Sequence, residues 1–291
     1  MISDANIYIL LPVHNRRNLT EAFVQCLLSQ TCQNFHLVLI DDGSQDGTAE
    51  AVSNLLPPAQ LSVVSGKGDW YWGGGLQQGY LWLQKEQVKA DKVVLMINDD
   101  SEIGPEFLAK GMQLLDQHPN TLVQATTIAK DDPTYVRGGL HMDWVRYRLS
   151  FAKSADETNC LNTRGLFLRA GDFYKIGGFV PNVLRHYRSD IEFTLRAHRK
   201  GLSLLVAPEL LLVADLEKTG IRRVNLDQPL GSFLRMQFTH RSSVNPLMHS
   251  GFILLASPWQ WKLPNLLKVW WQFVRRCMQY FFHRTFNRTT T

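Results

Sequence analysis

Four short apolar runs organise the first hundred residues. Ile7-Tyr8-Ile9-Leu10-Leu11 stops at Pro12, and Val38-Leu39-Ile40 runs into Asp41-Asp42-Gly43-Ser44. Leu61-Ser62-Val63-Val64 precedes Gly66, and Val93-Val94-Leu95-Met96-Ile97 runs into Asn98-Asp99-Asp100. Continuous aliphatic runs of this length fit strands buried on both faces of a parallel sheet. Helical patterns fall between them. Asn18 with Glu21 suits an N-cap and its reciprocal partner, opening a helix to about Ser29. Asp46-Gly47-Thr48 starts a second helix to about Leu55, closed by Pro57-Pro58. A glycine-rich loop is expected over 66–75, followed by a helix over 76–89. This βαβαβαβ order implies right-handed crossovers in a parallel sheet.

Past Gly104-Pro105 the pattern predicts a helix to Asp116 and a fifth strand over 122–127. The stretch 130–159 alternates aromatic, basic and acidic residues and reads as a hairpin near 137–149. Leu166-Phe167-Leu168 is strand-like, 170–176 a short helix, and 190–200 a helix ending at Gly201 as its C′ residue. Two short strands are expected over 204–208 and 210–213. From Leu266 to His283, apolar residues at 266, 267, 270, 271, 274, 277, 278, 281 and 282 alternate with Lys268, Gln272, Arg275, Arg276, Gln279 and His283. That spacing gives an amphipathic helix with an aromatic face and a cationic face.

Composition narrows the class. In 291 residues, 45% are hydrophobic and 20% charged, as in an ordinary folded protein. Four cysteines without a CxxC pair argue for a reducing compartment and against a structural zinc site. The segment 1–11 is too short and polar for a secretory signal, so cytoplasmic residence is expected. The net charge of +5 is unevenly placed. No acidic residue follows Asp227, and the eight Lys and Arg beyond it leave a net −3 on residues 1–227. A nucleic-acid binder would spread its basic charge over the folded domain, so none is expected as a partner.

Both aspartate pairs sit where ligands bind in open α/β sheets, beyond the carboxyl ends of the strands. Carboxylates there can hold a sugar hydroxyl, a base edge or a divalent cation between phosphates. Turn formation and helix capping are the competing uses of the same residues.

The motifs, taken in order, resemble family 2 glycosyltransferases with a GT-A fold. Leu11-Pro12-Val13-His14-Asn15-Arg16 is similar to the family's opening turn, and Ser29-Gln30-Thr31 to the end of its first helix. Asp41-Asp42-Gly43-Ser44-Gln45-Asp46-Gly47-Thr48 is close to "DDGS-x-DGT". Asn98-Asp99-Asp100 takes the "DxD" place, and Asp190-Ile191-Glu192-Phe193-Thr194-Leu195-Arg196 resembles the late "ED-x-D-x-x-x-R" segment.

The resemblance implies roles. Pro12, Val13, His14, Asn15 and Arg16 would floor the nucleotide, and Asp42 would accept from a pyrimidine N–H. Gly68, Asp69, Trp72, Gly73 and Gln78 would belong to a loop beneath the nucleotide, the tryptophans stacking on a base or sugar unless they fill the core. That "GDWYWGGG" wording is nearer to rhamnosyltransferase-like members. Asn98 and Asp99 would meet the donor, Asp99 at a hydroxyl, and Asp100 would hold Mg²⁺ or Mn²⁺. Asp190 would be the general base, with Ser189 standing where relatives carry glutamate. Arg164, Gly165, His186 and Tyr187 would border the acceptor, and Asp215 would be a further metal ligand ahead of Arg222-Arg223.

The expected fold is α/β: a GT-A, Rossmann-like, mostly parallel central sheet flanked by helices, with a catalytic domain over 1–227 and a basic helical extension over 228–291. The expected activity is inverting, metal-dependent transfer from a dTDP- or UDP-sugar to a saccharide or lipid-linked saccharide, in cell-surface polysaccharide synthesis. Segment 259–291 would contact the inner face of the membrane, or pack on the catalytic domain or a second copy in a homodimer. The alternatives are a nucleotidyltransferase, disfavoured by the lack of a basic glycine-rich loop after the first strand, and a non-catalytic nucleotide-sugar or partner-binding protein.

Overall fold

The computed structural model describes residues 4–132, 134, 136–214, 227–240 and 242–287. Asp215 and Arg222-Arg223 lie outside the described residues. The first half builds β1 (Ile7–Val13), α1 (Arg17–Leu28), β2 (Phe35–Asp41), α2 (Thr48–Leu55), β3 (Leu61–Ser65), α3 (Tyr71–Lys85) and β4 (Val93–Met96). A short β5 (Ser101–Ile103), α4 (Phe107–Gln117) and β6 (Thr121–Ala129) follow. Next come β7 (Val136–Arg137) and the hairpin of β8 (Leu140–Asp143) and β9 (Arg148–Phe151), then β10 (Leu166–Arg169) and α5 (Ala170–Ile176). The chain continues through α6 (Ser189–Arg199), β11 (Ser203–Ala214), α7 (Leu230–Phe238), α8 (Pro246–Ala256) and α9 (Trp259–Asn287).

The main sheet runs β3-β2-β1-β4-β10-β6-β11-β5, with β7 attached to β6. Its first four strands are parallel, as their unbroken apolar runs require. Beyond them β10 is antiparallel to both β4 and β6. The sheet is therefore mixed, and its parallel half carries the strand ends that matter. One core lies between this sheet and α1, α2 and α4, the other between the sheet and α3, α5 and α6.

Several local expectations changed. Helix α1 begins at Arg17, so Asn18 lies inside the helix and no side chain caps its start. The second half of the glycine-rich stretch is helix: α3 starts at Tyr71 and includes Gly73-Gly74-Gly75. Its glycines bring the helix against its neighbours, since a Cβ on Gly75 would sit 3.0 Å from Pro12 and one on Gly79 2.9 Å from Ile40 and Leu10. The two short strands near 204–213 are one strand, β11, with a register shift between Ala207 and Leu211.

The carboxyl-terminal helices join the body. Met248, Phe252 and Ala256 of α8 share a buried cluster with Leu140, Met142, Cys160 and α6 residues Ile191 and Leu195. Tyr147 donates its hydroxyl to His249 Nδ1 at 2.7 Å, and His249 Nε2–H donates to the Ser243 carbonyl at 2.9 Å. Burial holds the His249 imidazole down at about 4, hence neutral. No helix among the described residues is long and apolar enough to cross a membrane.

Candidate active site

Three strand ends meet at the carboxyl edge of the parallel half. After β1, Asn15 turns with φ +51°, a left-handed conformation that asparagine tolerates. Its N–H donates to Ser44 Oγ at 2.9 Å, and its Oδ1 accepts from the Gln45 N–H at 2.7 Å. Arg17 N–H donates to Asp46 Oδ2 at 3.0 Å. The "PVHNR" and "DDGSQDGT" turns are thus stitched together. Pro12 and Val13 form the strand end beneath them, while His14 donates Nδ1–H to the Asp42 carbonyl at 2.7 Å.

Asp42 has a different partner from the expected base. Its Oδ1 accepts from Gly68 N–H at 2.8 Å and Asp69 N–H at 3.1 Å, and its Oδ2 from Trp70 N–H at 2.8 Å and Tyr71 N–H at 3.1 Å. A carboxylate offers about four acceptor sites, and backbone donors fill them all. The carboxylate therefore caps the entry to α3, next to the positive end of that helix. Gly43, at φ +74°, fits under the same loop, since a Cβ there would lie 3.0 Å from Lys67 C and Gly68 N. Tyr71 takes φ +55° to enter the helix, which is uncommon for a bulky residue.

The tryptophans pack rather than present open faces. Trp72 donates Nε1–H to Thr163 Oγ1 at 2.8 Å, and both Trp70 and Trp72 lie partly buried against the core. Gly73 donates its N–H to the Arg185 carbonyl at 2.8 Å, and a Cβ there would stand 2.6 Å from Leu184 O and 2.8 Å from Ser189 Cβ. That bare glycine lets the first turn of α3 touch the start of α6. Gln78 lies two turns into α3, away from the loop it was assigned to.

A buried charge network occupies the third strand end. Arg16 places Nε 3.2 Å from Asp99 Oδ1 and NH2 3.2 Å from Asp100 Oδ2. Thr20 donates its hydroxyl to Asp99 Oδ2 at 3.0 Å. Arg164 brings NH1 to 3.1 Å from Asp100 Oδ1. Burial pushes the Asp99 carboxyl up to about 6, against the downward pull of Arg16 and the Thr20 hydroxyl, with Asp100 adding repulsion. Asn98 is half-buried beside it. The resemblance puts Arg164 at the acceptor border; its guanidinium lies against the aspartate tip. Neither Thr20 nor this pairing left a sequence signal, because both depend on which turns the fold brings together. Gly165, at φ +68°, immediately precedes β10, and its carbonyl accepts from the Ala125 N–H at 2.9 Å.

Asp190 stands in the first turn of α6. Enclosure by its neighbours pushes its carboxyl upward, while the Ile191 N–H, at 2.8 Å, and Arg188 pull the other way. Arg188, at φ +68°, sets the helix start. Thr194, one turn on, bonds to Leu161: the Leu161 N–H donates to its Oγ1 at 3.0 Å. The segment 161–164 therefore ties the base candidate on one side to the Asp100 partner on the other. Arg196 instead pairs with Glu192 at 2.8 Å and donates to the carbonyls of Ile176 and Gly178, so it braces α6. The His186 ring lies tilted against Tyr187 at 4.6 Å and against Tyr71 at 6.0 Å, and His240 lies 5.7 Å from Tyr71.

Among the described residues no three His, Cys, Asp or Glu side chains cluster as a ready metal cage. Asp100 Oδ1 is nonetheless a buried oxygen without an aligned hydrogen bond, although Arg164 is near. One such carboxylate fits Mg²⁺ or Mn²⁺ chemistry, in which substrate phosphates and water supply the other ligands.

Residues 8–172 match the model of glycosyl transferase family 2. A polyprenol monophosphomannose synthase of Mycolicibacterium smegmatis is 25% identical over 224 residues, covering 69% of this chain and 75% of that protein. An uncharacterized glycosyltransferase of Rickettsia bellii is 35% identical over 52 residues, so the match spans 18% of this chain and only 8% of that protein. A mannosyltransferase from Pyrobaculum calidifontis, solved in complex with GDP-Man and Mn²⁺, superposes with a TM-score of 0.55 at 16% identity, over 91% of this chain and 73% of that one. At that identity the likeness shows the fold, which is GT-A.

Proposed function

The chain belongs to glycosyl transferase family 2, and on that premise we propose that it transfers a sugar, with inversion, from a nucleoside-diphosphate donor to a hydroxyl of a saccharide or lipid-linked saccharide. The observation that carries this reading is the arginine-flanked Asp99-Asp100 tip, tied through segment 161–164 and Thr194 to the half-buried Asp190. The reading puts this work in cell-surface polysaccharide assembly on the cytoplasmic side of a membrane.

Chemistry assigns the parts. Asp190 takes the proton from the acceptor hydroxyl as its oxygen attacks the anomeric carbon, and the nucleoside diphosphate departs from the opposite face. A carboxyl pushed upward by enclosure is a better base once ionised. Arg16 and Arg164 bring two fixed positive charges to the donor side, suited to a diphosphate. Asp100 would hold Mg²⁺ or Mn²⁺ there, and a bound ion supplies charge neutralisation for the leaving phosphate. His186, Tyr187 and Tyr71 offer ring faces to an acceptor sugar.

The donor base is a narrower matter. The rhamnosyltransferase-like wording favours dTDP- or UDP-sugars, but its residues build the start of α3, and Asp42 is engaged by backbone donors. The mannosyl chemistry in the names of two similar proteins makes GDP-mannose the necessary competitor. Calorimetric titration with UDP, dTDP and GDP, with and without Mn²⁺, tests the donor side. One diphosphate should bind, and Mn²⁺ should tighten it. Binding of none of the three would contradict the proposal.

A further inference from the structure

Helix α9 packs on the body yet leaves a broad apolar face outside. It is 29 residues long, roughly 40 Å at the usual rise. The face turned to the body mixes polar contacts with apolar ones. Asn265, 1% exposed, donates to the Trp144 carbonyl at 2.9 Å, and Lys268 reaches the Arg146 carbonyl at 2.5 Å. Arg276 donates to Gln237 Oε1 at 3.0 Å and to the Val244 carbonyl at 3.1 Å, and Tyr280 to the Gln228 carbonyl at 2.9 Å. Burial of Val269, packing of Phe273 on Phe238 at 5.4 Å and stacking of Tyr280 on Phe233 complete that face.

The opposite face is apolar and open. Trp259, Leu263, Leu267 and Trp271, each four residues from the next, are 84%, 66%, 65% and 61% exposed. Residues at that spacing line one side of a helix. Leu254 and Leu255, just ahead in α8, extend the exposed apolar surface. Scattered exposed leucines need no account, but a contiguous aromatic stripe on a folded chain marks an interaction surface.

Charge decides what covers it. Residues 228–291 contain no aspartate or glutamate, and Lys262 and Arg275 adjoin the stripe. A symmetric pairing of two copies through α9 would face cation against cation with no carboxylate to relieve it. An anionic lipid surface neutralises those cations while the tryptophans and leucines enter the headgroup–acyl boundary. We propose that α9, with the end of α8, seats the protein flat on an anionic membrane, held in register by its polar contacts to the catalytic body. The proposal stands apart from the transfer reaction, since it draws on no residue of the site.

Flotation of the full chain with phosphatidylcholine vesicles, with and without phosphatidylglycerol, tests it. The chain should rise with the anionic vesicles only, and added salt should weaken the association. The double variant Leu267→Glu/Trp271→Glu should bind roughly tenfold less or weaker still, with an unchanged melting temperature, because both side chains point outward. Equal flotation of the variant overturns the proposal. So does a chain that ignores vesicles and elutes as a dimer, which the double variant converts to monomer.

Discussion

Arg164 shows how much of the site depends on single residues. Its guanidinium lies 3.1 Å from Asp100 Oδ1, while Arg16 holds the other oxygen. Removing one partner of a buried charge leaves the remaining charge uncompensated, at a cost tempered here by the second arginine. Arg164→Met should therefore lower stability by about 1–3 kcal/mol and raise KM for the donor more than it lowers kcat. Chemical denaturation and initial rates measure the two effects. Asp190 predicts the opposite pairing. Because the fold raises its pKa, the ionised form costs stability above that pKa, and the cost disappears as the pH falls. Asp190→Asn should be no less stable than the parent at neutral pH, yet lose about 10²–10⁴-fold in turnover.

At the level of elements, the strand ends were legible and the loops between them were not. The four apolar runs gave the parallel strands because burial on both faces leaves no alternation to misread. The "DDGS" turn was recognised from its residue types, but the partners of Asp42 were not, because "GDWYWGGG" reads as a loop when glycine is judged by its freedom alone. In the fold those glycines serve close approach: Gly73 meets Leu184 and Ser189, and Gly75 meets Pro12. Asp42→Ala should strip four donors of their acceptor and destabilise the protein by about 2–4 kcal/mol, loosening the start of α3. Hydrogen exchange should locate the loss at amides 68–71. Gly73→Ala should push α3 away from α6, and the loss should fall on kcat rather than on donor binding, since Asp190 sits in the displaced turn.

The whole molecule couples the catalytic body to its carboxyl-terminal helices through a neutral histidine. His249 is held at about 4, below its ordinary 6.5, so protonation favours the unfolded chain. Its stabilising contribution is complete above the unfolded value and is lost as the pH falls from about 6.5 towards 4, at a cost of about 2–3 kcal/mol. Melting curves across that window should show the loss, and His249→Gln should flatten it. The helical pattern of α9 was plain in the sequence, but its orientation was not. Periodicity gives two faces without saying which meets the body; here polar contacts such as Asn265 to Trp144 and Arg276 to Gln237 dock the helix beside Val269, Phe273 and Tyr280, and the Trp259–Trp271 stripe stays outside. The central claim remains sugar transfer by Asp190 at an arginine-flanked diphosphate site. The most direct test is release of nucleoside diphosphate from a panel of UDP-, dTDP- and GDP-sugars with Mn²⁺ and saccharide acceptors, comparing the parent with Asp190→Asn. The account predicts turnover of one donor class by the parent, an inverted product anomer by NMR, and near-complete loss in the folded variant. Equal turnover by the variant, or a retained anomer, would contradict it.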